Sequence, residues 1–230
     1  MTDPTSPPPE DRRGLAAARA GRFPAVRVVA LVVGALIAVA VLGASSYAVA
    51  NLLVRTTETG DRTLVGEVVR AEIRVDGAVS VEAGRDDRAV VHRRSTFGLR
   101  RPTVRHTLVD GLLTVNVSCH GLIVLCTNEV TVEVPASASI DVEGIDDVEV
   151  TDIDGVVEVD SGAGGVTLTR LTGRVVVNNG AGSIVGRDLE SSEVEVHVGA
   201  GSIELTFTAS PMKVVAASGA GSVIVEVPRE

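Results

Sequence analysis

Gly199-Ala200-Gly201-Ser202-Ile203 is the third of four copies of one short phrase. Gly162-Ala163-Gly164-Gly165-Val166 and Gly180-Ala181-Gly182-Ser183-Ile184 precede it, and Gly219-Ala220-Gly221-Ser222-Val223 follows, at steps of 18, 19 and 20 residues. Glycine clusters punctuate a chain. Each of these runs at once into a β-branched residue, whose Cβ suits a pleated, half-buried surface. A second strand fits between consecutive phrases. Strand-forming residues restart near Val148, Val157, Val166, Val175, Ile184, Val194, Ile203 and Val223, mostly 9 or 10 residues apart. One unit is therefore two strands and two turns, a period of solenoid size.

Such a unit cannot bury its own apolar face. Stacking units does so, with equivalent strands about 4.8 Å apart as parallel neighbours. Gly162, Gly164, Gly180, Gly182, Gly199, Gly201, Gly219 and Gly221 then become corners, where a positive φ or close backbone approach excludes a Cβ. Ser183, Ser202 and Ser222 would line up as a hydroxyl ladder. The expected fold is all-β, a parallel β-solenoid (β-helix) of about 18–20-residue rungs, right-handed because parallel crossovers are. The competing reading is an antiparallel sandwich with glycine-rich hairpins. Val130-Thr131-Val132-Glu133-Val134 and Glu193-Val194-Glu195-Val196-His197-Val198 alternate with period 2, placing each valine on one face and its polar neighbours on the other.

Upstream the character changes. No charged residue lies between Val28 and Val54, and about 20 apolar residues suffice to cross a bilayer's hydrocarbon core. Arg12, Arg13, Arg19, Arg22 and Arg27 stand just before this run, so the positive-inside rule places the N-terminus in the cytoplasm. A cleaved secretory signal is the competing reading, with Ala48-Val49-Ala50 as its cleavage site, but the apolar run exceeds the usual signal core. The expected order is a disordered, proline-rich cytoplasmic tail over 1–25, a transmembrane helix over 26–53, a polar stalk over 54–62 and an extracytoplasmic β-domain over 63–230. Outside the cytosol, Cys119 and Cys126 are expected to pair as a disulfide rather than bind metal.

The glycine phrases, Val132-Glu133-Val134-Pro135, Val223-Ile224-Val225-Glu226-Val227-Pro228 and the single N-terminal span together resemble the putative-adhesin family (DUF4097) of membrane-anchored β-strand-repeat proteins. The resemblance covers roughly residues 64–230 and is clearest from Glu143 onward. It implies a cell-surface β-solenoid of the bacterial envelope and supplies no catalytic residues.

Several chemistries find no support. A P-loop needs Gly-Lys-Ser/Thr leading into a helix, whereas these phrases lead into strands and Lys213 is the only lysine. The four histidines, His92, His106, His120 and His197, lie far apart, and nothing gathers nucleophile, base and orienting group in one place. Residues 141–160 carry nine acids, read as a solvated face because the glycine turns lack the aspartate of calcium-binding repeats. After residue 55 the only aromatics are Phe97 and Phe207, too few to stack sugars. Beyond residue 54 there are 16 basic and 27 acidic groups, which disfavours nucleic acid. No catalytic, cofactor or metal residues are assigned.

One segment opposes the acidic background. Arg85–His106 carries seven arginines against Asp86 and Asp87. Arg93, Arg94, Arg100 and Arg101 are the candidate contacts for an anionic envelope polymer or lipid headgroup, with a solvated loop as the plainer reading. The functional expectation is a non-enzymatic cell-envelope surface protein, an adhesin or interaction scaffold with a protein partner as the further possibility. An envelope-stress-sensing membrane protein and a polysaccharide-active β-helix enzyme are the alternatives.

Overall fold

The computed structural model describes residues 24–86, 88–120 and 126–229. Most of the expected cytoplasmic tail, Asp87 of the arginine-rich segment, and Gly121 within the cysteine loop lie outside the described residues. Helix α1 spans Pro24–Leu53. Its Val28–Tyr47 stretch has a mean hydropathy of 2.7 and is long and apolar enough to cross a bilayer. Valine favours strands in water, but in hydrocarbon every N–H and C=O must be satisfied within the segment, which a helix does. The chain divides into two compact units, Met1–Val49 and Ala50–Glu230.

The second unit is built of strands. They are β1 (Thr56–Val65), β2 (Arg70–Val75), β3 (Ala78–Ala83), β4 (Arg88–Phe97), β5 (Thr103–Val109), β6 (Leu112–Ser118) and β7 (Cys126–Val134). There follow β8 (Ser139–Gly144), β9 (Val148–Thr151), β10 (Val157–Ala163), β11 (Val166–Thr169) and β12 (Val175–Ala181). The last are β13 (Ile184–Leu189), β14 (Glu193–Ala200), β15 (Ile203–Phe207), β16 (Lys213–Ala220) and β17 (Val223–Glu226). One sheet of nine runs β1-β4-β7-β3-β9-β11-β13-β15-β17, and one of eight runs β16-β14-β12-β10-β8-β2-β6-β5. Both are largely parallel, and neither closes on itself.

From β8 onward, consecutive strands alternate between the sheets and every pairing is parallel. The repeat sets the register. Val166, Ile184, Ile203 and Val223 are successive partners in one sheet, and Ala163, Ala181, Ala200 and Ala220 in the other. The strand at Lys213 was not among the expected starts, because Ser-Pro-Met-Lys breaks the valine pattern before it.

The first third departs from an uninterrupted parallel stack over 63–230. The β2–β3 pair lies between β6–β7 and β8–β9, parallel to both. In contrast, β4 is antiparallel to β7, β5 to β6, and β1 to β4. The cause is local. Asp110 and Gly111, with φ of 50° and 79°, form a two-residue turn of the kind whose twist matches a hairpin. The chain therefore reverses from β5 into β6. The expected stalk over 54–62 is likewise corrected: from Thr56 it is strand β1, aligned with β4 from Thr56↔Phe97 to Val65↔Arg88.

The core lies between the sheets. Val79, Val81, Val130, Val132, Val150 and Leu168 face Ile73, Leu113, Val115, Val142, Val159 and Val177 in one continuous buried cluster. Ile153, Leu171 and Leu189 extend it into the turn opposite the glycine phrases. Alternation along each strand delivers this, since residues two apart share a face. β10 reads buried, exposed, buried from Val157 to Val159.

Candidate interaction surfaces

The glycine corners combine two constraints. Gly164, Gly182, Gly201 and Gly221 have φ between 95° and 149°. A Cβ on Gly180, Gly199 or Gly219 would lie 2.4–2.5 Å from the carbonyl oxygen of the equivalent glycine one rung earlier. Gly162, at the first phrase, has only the Ile145 carbonyl oxygen near, at 4.0 Å. Beside them, the Ser183 and Ser202 hydroxyls are 3.3 Å apart. Inside the corner the Ser161 and Ser218 hydroxyls and the Asn179 amide donate to backbone carbonyls.

This corner borders a groove. It measures about 830 Å³ on the outer face of the eight-stranded sheet. Its long wall is a ladder of register partners, Glu143, Asp160, Asn178, His197 and Ala217, and exposed Gly162, Gly180, Gly199 and Gly219 form its floor. Asn178 donates to Asp160 at 2.9 Å. At the acidic end Arg74 reaches Glu143 at 3.0 Å, which raises the Arg74 pKa through that hydrogen bond and charge. His197 lies 3.2 Å from Glu195, holding the Glu195 carboxyl below its ordinary value. Equivalent polar groups thus recur at about 4.8 Å, the strand spacing, over four strands, with Ala217 on the fifth.

The opposite turn carries a second ladder that sequence reading missed. Asp152, Arg170 and Asp188 all hold positive φ, 60°, 50° and 52°. Arg170 forks onto both Asp152 oxygens at 2.5 and 2.8 Å, which lowers the Asp152 pKa. Thr172 donates to Asp154 at 2.8 Å. The signal was present, since these positions recur at the same step of 18 as the glycine phrases.

The four candidate arginines do not share one surface. Arg93 and Arg94 are consecutive in β4 and therefore face opposite ways. Arg93 points with Val91 and Ser95 toward the interior side, and its guanidinium donates to Ser95 at 2.9 Å. Arg94 and Arg100 are exposed. Arg101 pairs with Glu58 of β1 at 3.1 Å. At this end of the sheets polar groups thus reach the interior face among apolar ones such as Val91, Leu64 and Leu108. His106 of β5 joins them, its Nε2 buried without a hydrogen-bond partner. Burial first, then the charges of Arg93 and Arg62, hold the His106 pKa below 6.5. His92, on the outer face, bridges Asp61 at 2.9 Å and Glu133 at 3.4 Å, and its pKa is raised, chiefly by the Asp61 hydrogen bond.

The two histidines oppose one another in pH dependence. A lowered folded pKa means stability that is present above pH 6.5 and falls as pH drops below it, while a raised one means stability lost as pH rises. His92 is nearly half exposed, so solvent screens its pairs and His106 dominates. Thermal melts between pH 7.5 and 5 should show the wild type losing stability as the pH falls. His106→Asn should flatten that decline, whereas an unchanged slope would remove His106 from the account.

Cys119 and Cys126 are joined by a disulfide with Cα atoms 6.3 Å apart, closing the turn from β6 to β7. Asp76 accepts the Cys119 backbone N–H at 2.9 Å, and Asn128 donates to the Asp76 carbonyl at 2.9 Å, tying the turn to the β2–β3 connection. Alkylation of the unfolded, unreduced chain should label neither cysteine.

Among the described residues, no group of three or more His, Cys, Asp or Glu is placed to hold a metal ion. No family model matches the chain, and no curated protein matches its sequence. Solved structures similar to it include a "putative cell adhesion protein" of Clostridium sporogenes, 10% identical over 74% of this chain and 99% of that one, TM-score 0.44. A "putative adhesin" of Parabacteroides distasonis is 12% identical over 73% and 78%, TM-score 0.34. A "putative adhesin" of Bacteroides fragilis is 15% identical over 75% and 97%, TM-score 0.32. These likenesses are too distant to carry conclusions about ligand or activity.

Proposed function

We propose that this chain is a non-enzymatic interaction scaffold of the cell envelope, a β-solenoid held outside the membrane by α1 as an uncleaved, N-in anchor. The observation that carries the reading is the groove over the eight-stranded sheet. Its ladder of Glu143, Asp160, Asn178 and His197 repeats one outward position on successive strands. A linear ligand lying along it meets similar hydrogen-bonding groups at every step. Carboxylate, amide and imidazole groups without aromatic neighbours suit a hydroxyl-rich chain such as an envelope glycan. An anionic polymer or headgroup is better served at the other end of the sheets, where Arg94 and Arg100 are exposed. Arg93 turns inward to Ser95, and Arg101 is paired with Glu58 at the surface.

The test is site-specific photo-crosslinking in intact cells. A photoreactive residue at Asn178 should give envelope adducts, and one at Thr167, on the outer face of the other sheet, should not. Equal adducts at both positions, or none at Asn178, would reject the groove. Intact-mass analysis of the membrane fraction checks the anchor, since a mature N-terminus at Asn51 would make α1 a signal instead.

A further inference from the structure

The two ends of the stacked sheets are finished differently. At the β1–β5 end the edge strands run antiparallel to their neighbours, and the interior face there carries Glu58, Arg93 and His106 among the partly covered Leu64, Val104 and Leu108. Inward-pointing charge is a known way to blunt a sheet edge against further pairing. At the other end β16 and β17 are the outermost strands of both sheets, and their interior positions are apolar apart from Ser218 at the corner. Val223 and Val225 are 41% and 38% exposed, whereas their register partners Ile203 and Leu205 are 1% and 0%. Val214 and Ala216 of β16 are only partly covered. This rung is built like an internal one, with nothing stacked on it among the described residues.

We propose that this end face is the contact between two copies of the chain, related by a two-fold axis along the strands. The direction of the edge strands points to a second copy. Each rung returns to its start in register, so its two strands run in opposite senses, and β16 and β17 present two oppositely directed edges. A two-fold copy pairs both edges at once as antiparallel ladders, β16 on the partner's β17 and β17 on the partner's β16. That axis keeps glycine corner over glycine corner. It also brings Lys213, at the start of β16, beside the partner's Glu226, at the end of β17, so opposite charges meet. The blunted other end offers no acceptor for head-to-tail growth, so the assembly closes at two rather than forming a filament. An eight-residue strand at about 3.3 Å per residue and a sheet spacing of about 10 Å give a footprint of about 260 Å² on each copy, roughly 500 Å² in total. That is well below the roughly 1,200–2,000 Å² of a stable specific interface, so the dimer is weak and dissociates on dilution.

The experiment uses the full chain in detergent micelles, followed by sedimentation velocity across a dilution series. Wild type should pass from dimer to monomer. Val225→Lys, at an exposed position on the end face, should weaken the dimer about tenfold or more, as charging an apolar interface centre does. Ile224→Lys, on the outer face, should leave it unchanged. A wild type that stays monomeric, or a dimer indifferent to Val225→Lys and therefore held elsewhere, α1 included, overturns the proposal. A second arm does not depend on the folding of that variant. Chains carrying Lys213→Cys mixed with chains carrying Glu226→Cys should form a disulfide-linked heterodimer, and neither population alone should link. Linkage within one population, or none in the mixture, rejects the pairing, and species larger than two reject the closed assembly.

Discussion

Gly201→Val should destabilise the β-rich unit by more than about 4 kcal/mol, since backbone strain and steric overlap act together there. Gly201 has a φ of +147°, and a Cβ built on it lies 1.8 Å from the Gly182 carbonyl oxygen. That oxygen cannot move away alone, because Gly182 stands in the same relation to Gly164, at 1.9 Å, and Gly221 to Gly201, also at 1.9 Å. One side chain would wedge apart four stacked corners. Gly162→Ala is the internal control. It substitutes the same phrase where the nearest obstacle is 4.0 Å away, and should cost no more than about 1 kcal/mol. Glu195→Ala, on the outer face, should leave the melting temperature nearly unchanged. Chemical denaturation of the variants separates the cases. Similar midpoints for Gly201→Val and Gly162→Ala would mean that the corners are not stacked as described.

The same corners show why the later half of the fold was legible in sequence. A stack of equivalent rungs forces equivalent residues to recur, so the steps of 18, 19 and 20 residues are the register itself, and Val166, Ile184 and Ile203 mark strands that begin where expected. The first third obeys no such recurrence. Antiparallel pairing asks only for alternation and a suitable turn, which Asp110-Gly111 supplies, and the insertion of β2–β3 between β6–β7 and β8–β9 leaves no trace in spacing. The arginine segment is divided between two faces for a related reason. Charge was counted along the chain, but a strand sends Arg93 and Arg94 to opposite faces. The groove was half visible: His197 and Glu195 were read as outward-facing. Only parallel register shows that Glu143, Asp160, Asn178 and His197 form one line.

Val159→Asp should remove most or all of the stability of the β-rich unit at neutral pH, and acid should partly restore it. Val159 is fully buried in β10. Its register partners on either side are Val142 and Val177, themselves fully buried, so a carboxylate there meets apolar side chains and backbone already committed to the ladders. Burial of an unpaired carboxyl raises its pKa by up to about 3–5 units. At about 1.36 kcal/mol per unit, and with the group simply staying protonated once its folded pKa exceeds the pH, that is roughly 4 kcal/mol at pH 7, before the lost valine packing. Whole domains are stable by only about 5–15 kcal/mol. The raised folded pKa fixes the sign. The native state then binds the proton more tightly than the unfolded chain, so the variant is most stable below the unfolded aspartate pKa and loses stability as pH rises. Val159→Asn, which has the same shape and does not titrate, separates this from the acid response of the other carboxylates. The gap between the two variants should be wide at pH 7 and narrow toward pH 4.5. The neighbouring change Asp160→Val, one residue along on the outer face, should lose only the Asn178 hydrogen bond. If Val159→Asp and Asp160→Val melted alike, the alternation that places one in the core and the other on the groove wall would be wrong.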